Sequence, residues 1–170
     1  MSLSQIQHKI VALKKAKELR DDWALEKEPV VFTNGCFDIL HKGHVTYLAK
    51  AAEEGKKLIL GLNSDDSVRR LGKDKNRPIN SESSRALVIA SLQFIDLVVI
   101  FNEDTPLELI NTLKPDVLVK GGDYNADQLD PSKKDYIVGS DIIKKNGGKV
   151  TTINLVDGFS TTNIISKIKS

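Results

Sequence analysis

Short apolar runs alternate along this chain with segments of helical spacing, and this alternation limits the possible folds more than any other feature. Runs rich in β-branched and apolar residues predict five strands, at 30–33, 57–62, 97–101, 117–119 and 150–155. Segments with helical periodicity follow them, at 45–54, 84–94, 106–113, 133–145 and 162–169. Strands that are apolar on both faces need cover on both sides. The pattern therefore predicts an α/β fold, a doubly wound five-stranded parallel sheet with helices on both faces.

The first 28 residues lie outside this alternation. Residues 4–25 have the spacing of one amphipathic helix, with Ile10 and Trp23 among the apolar side chains that can pack. The sequence therefore predicts an N-terminal helical appendage over residues 1–28 and one α/β domain over residues 29–170. The appendage is a candidate contact in a homodimer.

The composition limits the kinds of partner that this chain is expected to bind. The 170 residues carry 25 Lys and Arg against 23 Asp and Glu, and a formal net charge of +2 provides no large basic field for nucleic acid. The lone cysteine, Cys36, rules out an internal disulfide and fits a reducing, cytoplasmic compartment. No stretch approaches the roughly 20 apolar residues of a membrane span, and the charged start does not resemble a signal peptide. We expect small-molecule ligands, no nucleic acid and no membrane.

Polar chemistry concentrates after the first predicted strand, in residues 33–44 (TNGCFDILHKGH). Two of the three histidines, His41 and His44, lie here. In open parallel sheets, ligands bind outside the carboxyl ends of the strands where the strand order reverses. The chain has neither a GxGxxG nor a GxxxxGK[ST] segment, so a different element must bind phosphate.

The segment His41-Lys-Gly-His44 has the properties of a phosphate-binding turn. Gly43 lets a ligand oxygen approach the backbone, and a helix that begins near His44 offers unpaired N–H groups to an anion. Imidazole donors can also stabilise charge that develops on phosphorus in a transition state. A pair of metal ligands, or two surface histidines that cap a helix, remains the alternative.

Residues 37–44 (FDILHKGH) resemble the HxGH signature of the cytidylyltransferase-like nucleotidyltransferases, which transfer a nucleoside monophosphate from a triphosphate and release pyrophosphate. Other segments resemble the heptose 1-phosphate adenylyltransferases of that superfamily, at 32–38, 61–70, 77–80, 104–110 and 115–124. This likeness implies adenylyl transfer from ATP to D-glycero-β-D-manno-heptose 1-phosphate for surface-glycan synthesis. Such units are often fused to a sugar kinase, for which 170 residues leave no room, so a stand-alone form is expected.

The resemblance also implies roles for individual residues. His41 and His44 are expected at the α- and β-phosphates as catalytic residues. In related enzymes a lysine from the region of 72–78 closes over the triphosphate, which makes Lys73 and Lys75 candidates, although a solvated charge run is the simpler interpretation. Mg²⁺ is expected to bridge the triphosphate, held mainly by phosphates and water, so no protein metal site is predicted.

Nucleotide contacts are expected from three turns. One follows the first strand, one follows the fourth strand, and one precedes the last helix. The residues concerned are Thr33, Asn34, Gly35, Cys36, Phe37, Gly43, Lys120, Gly121, Gly122, Asp123, Ser160, Thr161 and Thr162. Candidates for the acceptor are Asp38, Asn63, Asp65 and Arg77. Simpler interpretations stay open: the Ser and Thr residues cap the last helix, the glycines form a strand-exit turn, Cys36 packs, and Asp38 bonds within its own turn.

Two other functions stay open at this stage. The acceptor of a nucleotidyltransferase of this type can differ, for example glycerol 3-phosphate with CTP or flavin mononucleotide with ATP. Alternatively, the chain is a nucleotide-binding regulatory module without turnover, against which the intact histidine motif and the basic loop argue. No catalytic triad is needed for the transfer, because a phosphate monoester with a second pKa near ~6 is already a nucleophilic dianion.

Overall fold

A five-stranded parallel sheet forms the centre of the computed structural model, which describes residues 1–72 and 76–169. The strands are β1 (Val30–Gly35), β2 (Lys57–Asn63), β3 (Leu97–Phe101), β4 (Val117–Gly121) and β5 (Lys149–Ile153). They lie side by side in the order β3-β2-β1-β4-β5, and every pairing is parallel. The predicted doubly wound sheet is confirmed, and its strand order reverses between β1 and β4.

Helices cover both faces of this sheet. In chain order they are α1 (Leu3–Gln7), α2 (Leu13–Leu25), α3 (Lys42–Ala52), α4 (Asp65–Arg70), α5 (Glu82–Ala90), α6 (Leu107–Leu113), α7 (Ser140–Lys145) and α8 (Thr161–Lys169). The short helix α4 lies where the sequence pattern predicted none. None of the helices described here is long and apolar enough to cross a membrane.

Two apolar layers join helices and sheet. One layer packs α3 and α5 against one face, with Leu48 and Ile89 fully buried, and the other packs α2, α6 and α7 against the opposite face, with Ile110 and Ile143 fully buried. Successive strand residues point to opposite faces, so Val31 belongs to the first layer and its neighbours Val30 and Phe32 to the second. Burial of each such side chain contributes about 1.5–3 kcal/mol.

The prediction of one helix over residues 4–25 is wrong. The segment forms α1 and α2, and the chain between them runs beside the edge strand β3. There the Val98 N–H donates to the Lys9 carbonyl at 2.8 Å, and the Val11 N–H donates to the Val98 carbonyl at 3.0 Å. The β-branched Ile10 and Val11 suit this extended pairing, which covers part of an otherwise open sheet edge.

The prediction of a helix over residues 133–145 is also wrong, because α7 begins only at Ser140. Gly139 precedes it with a φ of +83°, a left-handed conformation that interrupts any helix from further upstream. A Cβ atom at Gly139 would lie 2.8 Å from a methyl carbon of Ile110 in α6. Glycine at this position therefore lets α7 start close against α6.

This contact predicts a difference between two glycine substitutions. Gly147 has a similar φ of +77°, but a Cβ there would meet nothing within 4 Å. The left-handed conformation should make Gly147→Ala cost about 1–2 kcal/mol, and the clash with Ile110 should add about 1–3 kcal/mol for Gly139→Ala. Urea unfolding of the two variants measures the difference directly, and equal losses would contradict the packing described for Gly139.

Candidate active site

A crevice opens between β1 and β4 at their carboxyl ends. Strand β1 pairs with β2 over six residues, from Val30 to Gly35. Within the described residues, its pairing with β4 covers only Val31 with Val117 and Phe32 with Leu118. The two strands therefore separate where the strand order reverses, which is the position where open α/β sheets bind ligands.

Side chains bridge the separated strands and define the width of the crevice. The buried Tyr47 hydroxyl of α3 lies 2.7 Å from Thr33 Oγ1 and donates to the Val119 carbonyl at 3.2 Å. Nearer the opening, the Lys120 ammonium donates to Asn34 Oδ1 at 2.7 Å. Burial raises the pKa of Tyr47, so its hydroxyl remains a proton donor. Tyr47 was not among the residues predicted from the sequence, in which its only signal was a phenol on an apolar helical face.

His41 and His44 form a stacked pair at the start of α3. His41 is the N-cap residue, and its Nδ1 accepts a hydrogen bond from the His44 N–H at 3.3 Å. The ring centroids are 3.7 Å apart, with 16° between the planes. Since Nδ1 of His41 is an acceptor, its neutral ring carries the proton on Nε2. A Cβ at Gly43 would lie 3.1 Å from both the His41 ring and the Phe159 Cβ, so glycine permits this close packing.

Both imidazoles are neutral near pH 7. Burial lowers the pKa of His41, although a hydrogen bond to its own backbone opposes the shift. Burial and the adjacent His41 charge lower the pKa of His44 from 6.5 to about 4, against a hydrogen bond to the Ile39 backbone that favours protonation.

Asp38 holds a neighbouring loop in place. Its buried carboxylate accepts hydrogen bonds from the Ile79 N–H at 2.8 Å, the Asn80 N–H at 3.0 Å and Arg77 Nε at 3.1 Å. Burial alone would raise the pKa of Asp38, but these donors outweigh it and hold the pKa below its ordinary value. Asp38 does not line the cavity described below, whereas Arg77 does.

Arg85 of α5 ties three segments around the site together. Its buried guanidinium donates to the carbonyls of Cys36 at 2.7 Å, Asn63 at 2.9 Å and Asn80 at 3.0 Å, and to Asp65 Oδ1 at 2.7 Å. The ends of β1 and β2 and the loop at Asn80 are thereby fixed relative to one another. The sequence analysis missed Arg85, although a lone charge on an apolar helical face was a usable signal.

A cavity of about 610 Å³ covers this edge of the sheet, within the usual size range of ligand sites. It brings together Asn34, Gly35, Cys36, Phe37, His41, Gly43, His44, Asn63, Arg77, Lys120, Gly121, Asp123, Ser160, Thr161 and Thr162. The other described candidates, Thr33, Asp38, Asp65 and Gly122, lie outside its lining. Lys73 and Lys75 lie outside the described residues. Lining residues that the sequence analysis missed include Tyr47, Leu71, Asp104, Thr105, Tyr124, Leu155 and Phe159.

The turn before α8 caps that helix and also faces the cavity. Ser160 Oγ accepts a hydrogen bond from the Asn163 N–H at 3.0 Å, as a helix cap does, and Ser160 also lines the cavity. Thr161 is nearly buried. Across residues 1–72 and 76–169, no group of three or more His, Cys, Asp or Glu side chains is arranged to hold a metal ion.

The fold and the site together define an α/β protein in which a helix begins beside the reversal of the strand order, a position that suits an anionic ligand. A family model described as Cytidylyltransferase-like matches residues 32–167. The chain belongs to this family of nucleotidyltransferases, and the fold and enzyme class implied by the HxGH resemblance are confirmed. The ligand of such a site is a nucleotide.

The chain is also similar to longer proteins. It is 54% identical over 160 residues to the bifunctional protein HldE of Paramagnetospirillum magneticum, and 55% identical over 155 residues to that of Syntrophotalea carbinolica. These matches cover 94% and 89% of this chain. The chain spans only about a third of those relatives, with 31% and 30% of their lengths matched.

Solved structures share the fold. A lipopolysaccharide core biosynthesis protein from Thermoplasma volcanium is 28% identical with a TM-score of 0.57, over 76% of this chain and 97% of that one. Pantoate-beta-alanine ligase from Francisella tularensis has a TM-score of 0.60 at 13% identity, over 94% of this chain and 76% of that one. The second likeness supports the fold alone.

The low pKa of His44 predicts a pH dependence of stability. The pKa of His44 is about 4 in the folded protein, against an ordinary value of 6.5. Between pH 4 and pH 6.5, the unfolded chain therefore binds more protons than the folded protein. The free energy of unfolding should therefore fall on the order of 1–2 kcal/mol through this group from pH 7 to pH 5.

Urea unfolding of the wild type and His44→Asn at both pH values measures this contribution. The variant should lose less stability on acidification than the wild type, whereas His8→Ala, at an exposed position, should behave like the wild type. An unchanged pH dependence in His44→Asn would show that the buried imidazole is not the cause.

Proposed function

We propose that the chain transfers the adenylyl group of ATP to D-glycero-β-D-manno-heptose 1-phosphate, giving ADP-heptose and pyrophosphate, in the cytoplasm. The observation that carries the proposal is the stacked pair of neutral imidazoles at the start of α3, beside the β1–β4 crevice. The neutral His41 ring, with its proton on Nε2, can donate a hydrogen bond to a phosphate oxygen without the cost of burying a charge.

The chemistry needs no covalent intermediate on the protein. An oxygen of the sugar phosphate dianion attacks the α-phosphorus of ATP, and the bond from that phosphorus to the oxygen bridging to the β-phosphate breaks. Pyrophosphate carries away the released electron pair. His41, His44 and the N–H groups at the start of α3 stabilise the charge on the phosphoryl oxygens, which is electrostatic catalysis by fixed donors.

The site fits a magnesium ion that takes most of its ligands from the phosphates of the nucleotide. The carboxylates among the described lining residues are Asp104 and Asp123, and Mg²⁺ commonly uses only one or two carboxylates. Asp123 would help to hold the ion, and the ion would supply positive charge that offsets the negative charge of the phosphates. Lys73 or Lys75 is the lysine that we propose binds the triphosphate.

The choice of heptose 1-phosphate rests on sequence. The segments at 61–70, 77–80 and 115–124 are those that resemble heptose 1-phosphate adenylyltransferases. About half of the residues are shared with HldE proteins along nearly the whole chain, and a structural relative at 28% identity is a lipopolysaccharide core biosynthesis protein. Both relationships support a role in the synthesis of a surface-glycan precursor.

Pyrophosphate release tests the proposal with ATP or CTP against a panel of acceptors: heptose 1-phosphate, glycerol 3-phosphate and flavin mononucleotide. We expect release only with an acceptor present, and the highest kcat/KM for ATP with heptose 1-phosphate. A better rate for CTP with glycerol 3-phosphate would overturn the acceptor. Tight ATP binding without turnover for any pair would indicate a regulatory module.

Variants of the histidines provide the control for mechanism. His41→Ala or His44→Ala should lower kcat by ~10²–10³, the usual loss for a donor that acts in the transition state, with a smaller effect on the acceptor KM. Circular dichroism should show that both variants remain folded. A normal kcat in both would make the pair structural.

A further inference from the structure

The Asp104 side chain contributes little to the stability of the fold and is accessible from the cavity. It lies in the turn between β3 and α6, lines the cavity, and keeps 75% of its side-chain surface accessible. Its ion pair with Arg70 is solvent-exposed on both sides, and such pairs contribute little to stability. The carboxylate is therefore accessible to a ligand in the cavity.

The sheet places Asp104 on the side of the histidines that is away from the strand reversal. Asp104 follows β3 and Asp123 follows β4. In the order β3-β2-β1-β4-β5, these two strands are three positions apart. At about 4.8 Å per strand, the strand ends that carry them are ~14 Å apart. The histidine turn, which follows β1, lies between them. A nucleotide bound at the β1–β4 reversal leaves the β2–β3 side, with Asn63, Arg77 and Asp104, to the acceptor.

The turn that carries Asp104 makes several hydrogen bonds with side chains of α4. Arg70 Nε donates to Asp104 Oδ1 at 2.6 Å, and the same guanidinium bonds the Asn102 carbonyl. Ser67 Oγ donates to the Glu103 carbonyl at 2.8 Å. Both donors come from α4, so α4 fixes the direction of a carboxylate that reaches into the cavity. Precise positioning of a polar group is what recognition of a substrate hydroxyl requires.

We propose that Asp104, oriented by Arg70, accepts hydrogen bonds from hydroxyl groups of the acceptor sugar and so selects a polyhydroxylated acceptor phosphate. This assignment rests on the function proposed above. A carboxylate has acceptor capacity at both oxygens, and its hydrogen bonds to hydroxyls are charge-assisted. Glycerol 3-phosphate has fewer hydroxyls than a heptose 1-phosphate and would satisfy such a group less completely.

Asp104→Ala tests the assignment, with Asp66→Ala as the matched control. Asp66 lies on α4, also pairs with an arginine at 2.6 Å, is similarly exposed at 68%, and does not line the cavity. With ATP and heptose 1-phosphate, Asp104→Ala should lower kcat/KM for the acceptor by about 10- to 100-fold, mainly through KM. The KM values for ATP and Mg²⁺ should stay within about twofold of wild type. Asp66→Ala should match the wild type.

The remaining outcomes separate the possible errors. Asp104→Asn, which keeps one acceptor oxygen, should recover part of the acceptor affinity. An equal rise in the KM for Mg²⁺ or ATP would make Asp104 a magnesium or nucleotide group and overturn the assignment, as would an unchanged acceptor KM. A wild-type protein that turns over no hydroxylated acceptor would overturn the proposed function and this assignment with it.

Discussion

The separation of β1 from β4 is the constraint on which the rest of the site depends. After two paired residues the strands part, and the Tyr47 hydroxyl spans the gap between Thr33 and Val119 in place of the missing backbone ladder. These bonds satisfy polar groups that burial would otherwise leave unpaired, so the crevice stays open without a large energetic penalty. Because α3 carries Tyr47 in its interior and the histidines at its start, the same helix bridges the strands and presents the turn that we propose binds phosphate.

Around this crevice, buried charges fix the loops before any ligand arrives. Asp38 holds the loop at Arg77, and Arg85 connects the ends of β1 and β2 to the same loop through Asn80. A buried arginine with several acceptors is costly to disrupt, since removal of one partner leaves groups without compensation. The histidines are kept neutral by burial. The site therefore combines rigid cationic groups at its rim with uncharged donors at its centre, which suits a polyanionic ligand whose charge moves during reaction.

The sequence was informative wherever function and fold follow local patterns. Alternating periods of two and 3.6 residues predicted the sheet, and the spacing His41-x-Gly43-His44 predicted the phosphate-binding turn. Contacts between distant segments could not be predicted this way. Arg85 binds carbonyl groups 49 and 22 residues away, at Cys36 and Asn63, and no periodicity reveals them. The break between α1 and α2 depends on pairing with β3, which becomes visible only once the sheet is assembled. For Asp38 the sequence left open a contact with substrate or bonds within its own turn, and the structure shows neither of these bonds but a third arrangement, in which Asp38 binds the distant loop at Ile79 and Asn80.

The β1–β4 crevice and the stacked histidines should bind the triphosphate. A crystal structure with the non-hydrolysable analogue α,β-methylene ATP provides the test. We expect the phosphate chain to lie over the start of α3, with a phosphate oxygen about 2.7–3.2 Å from His41 Nε2, and the nucleoside to lie between β1 and β4 beside Lys120 and Asp123. A triphosphate bound elsewhere, with the imidazoles making no contact to it, would contradict the claim.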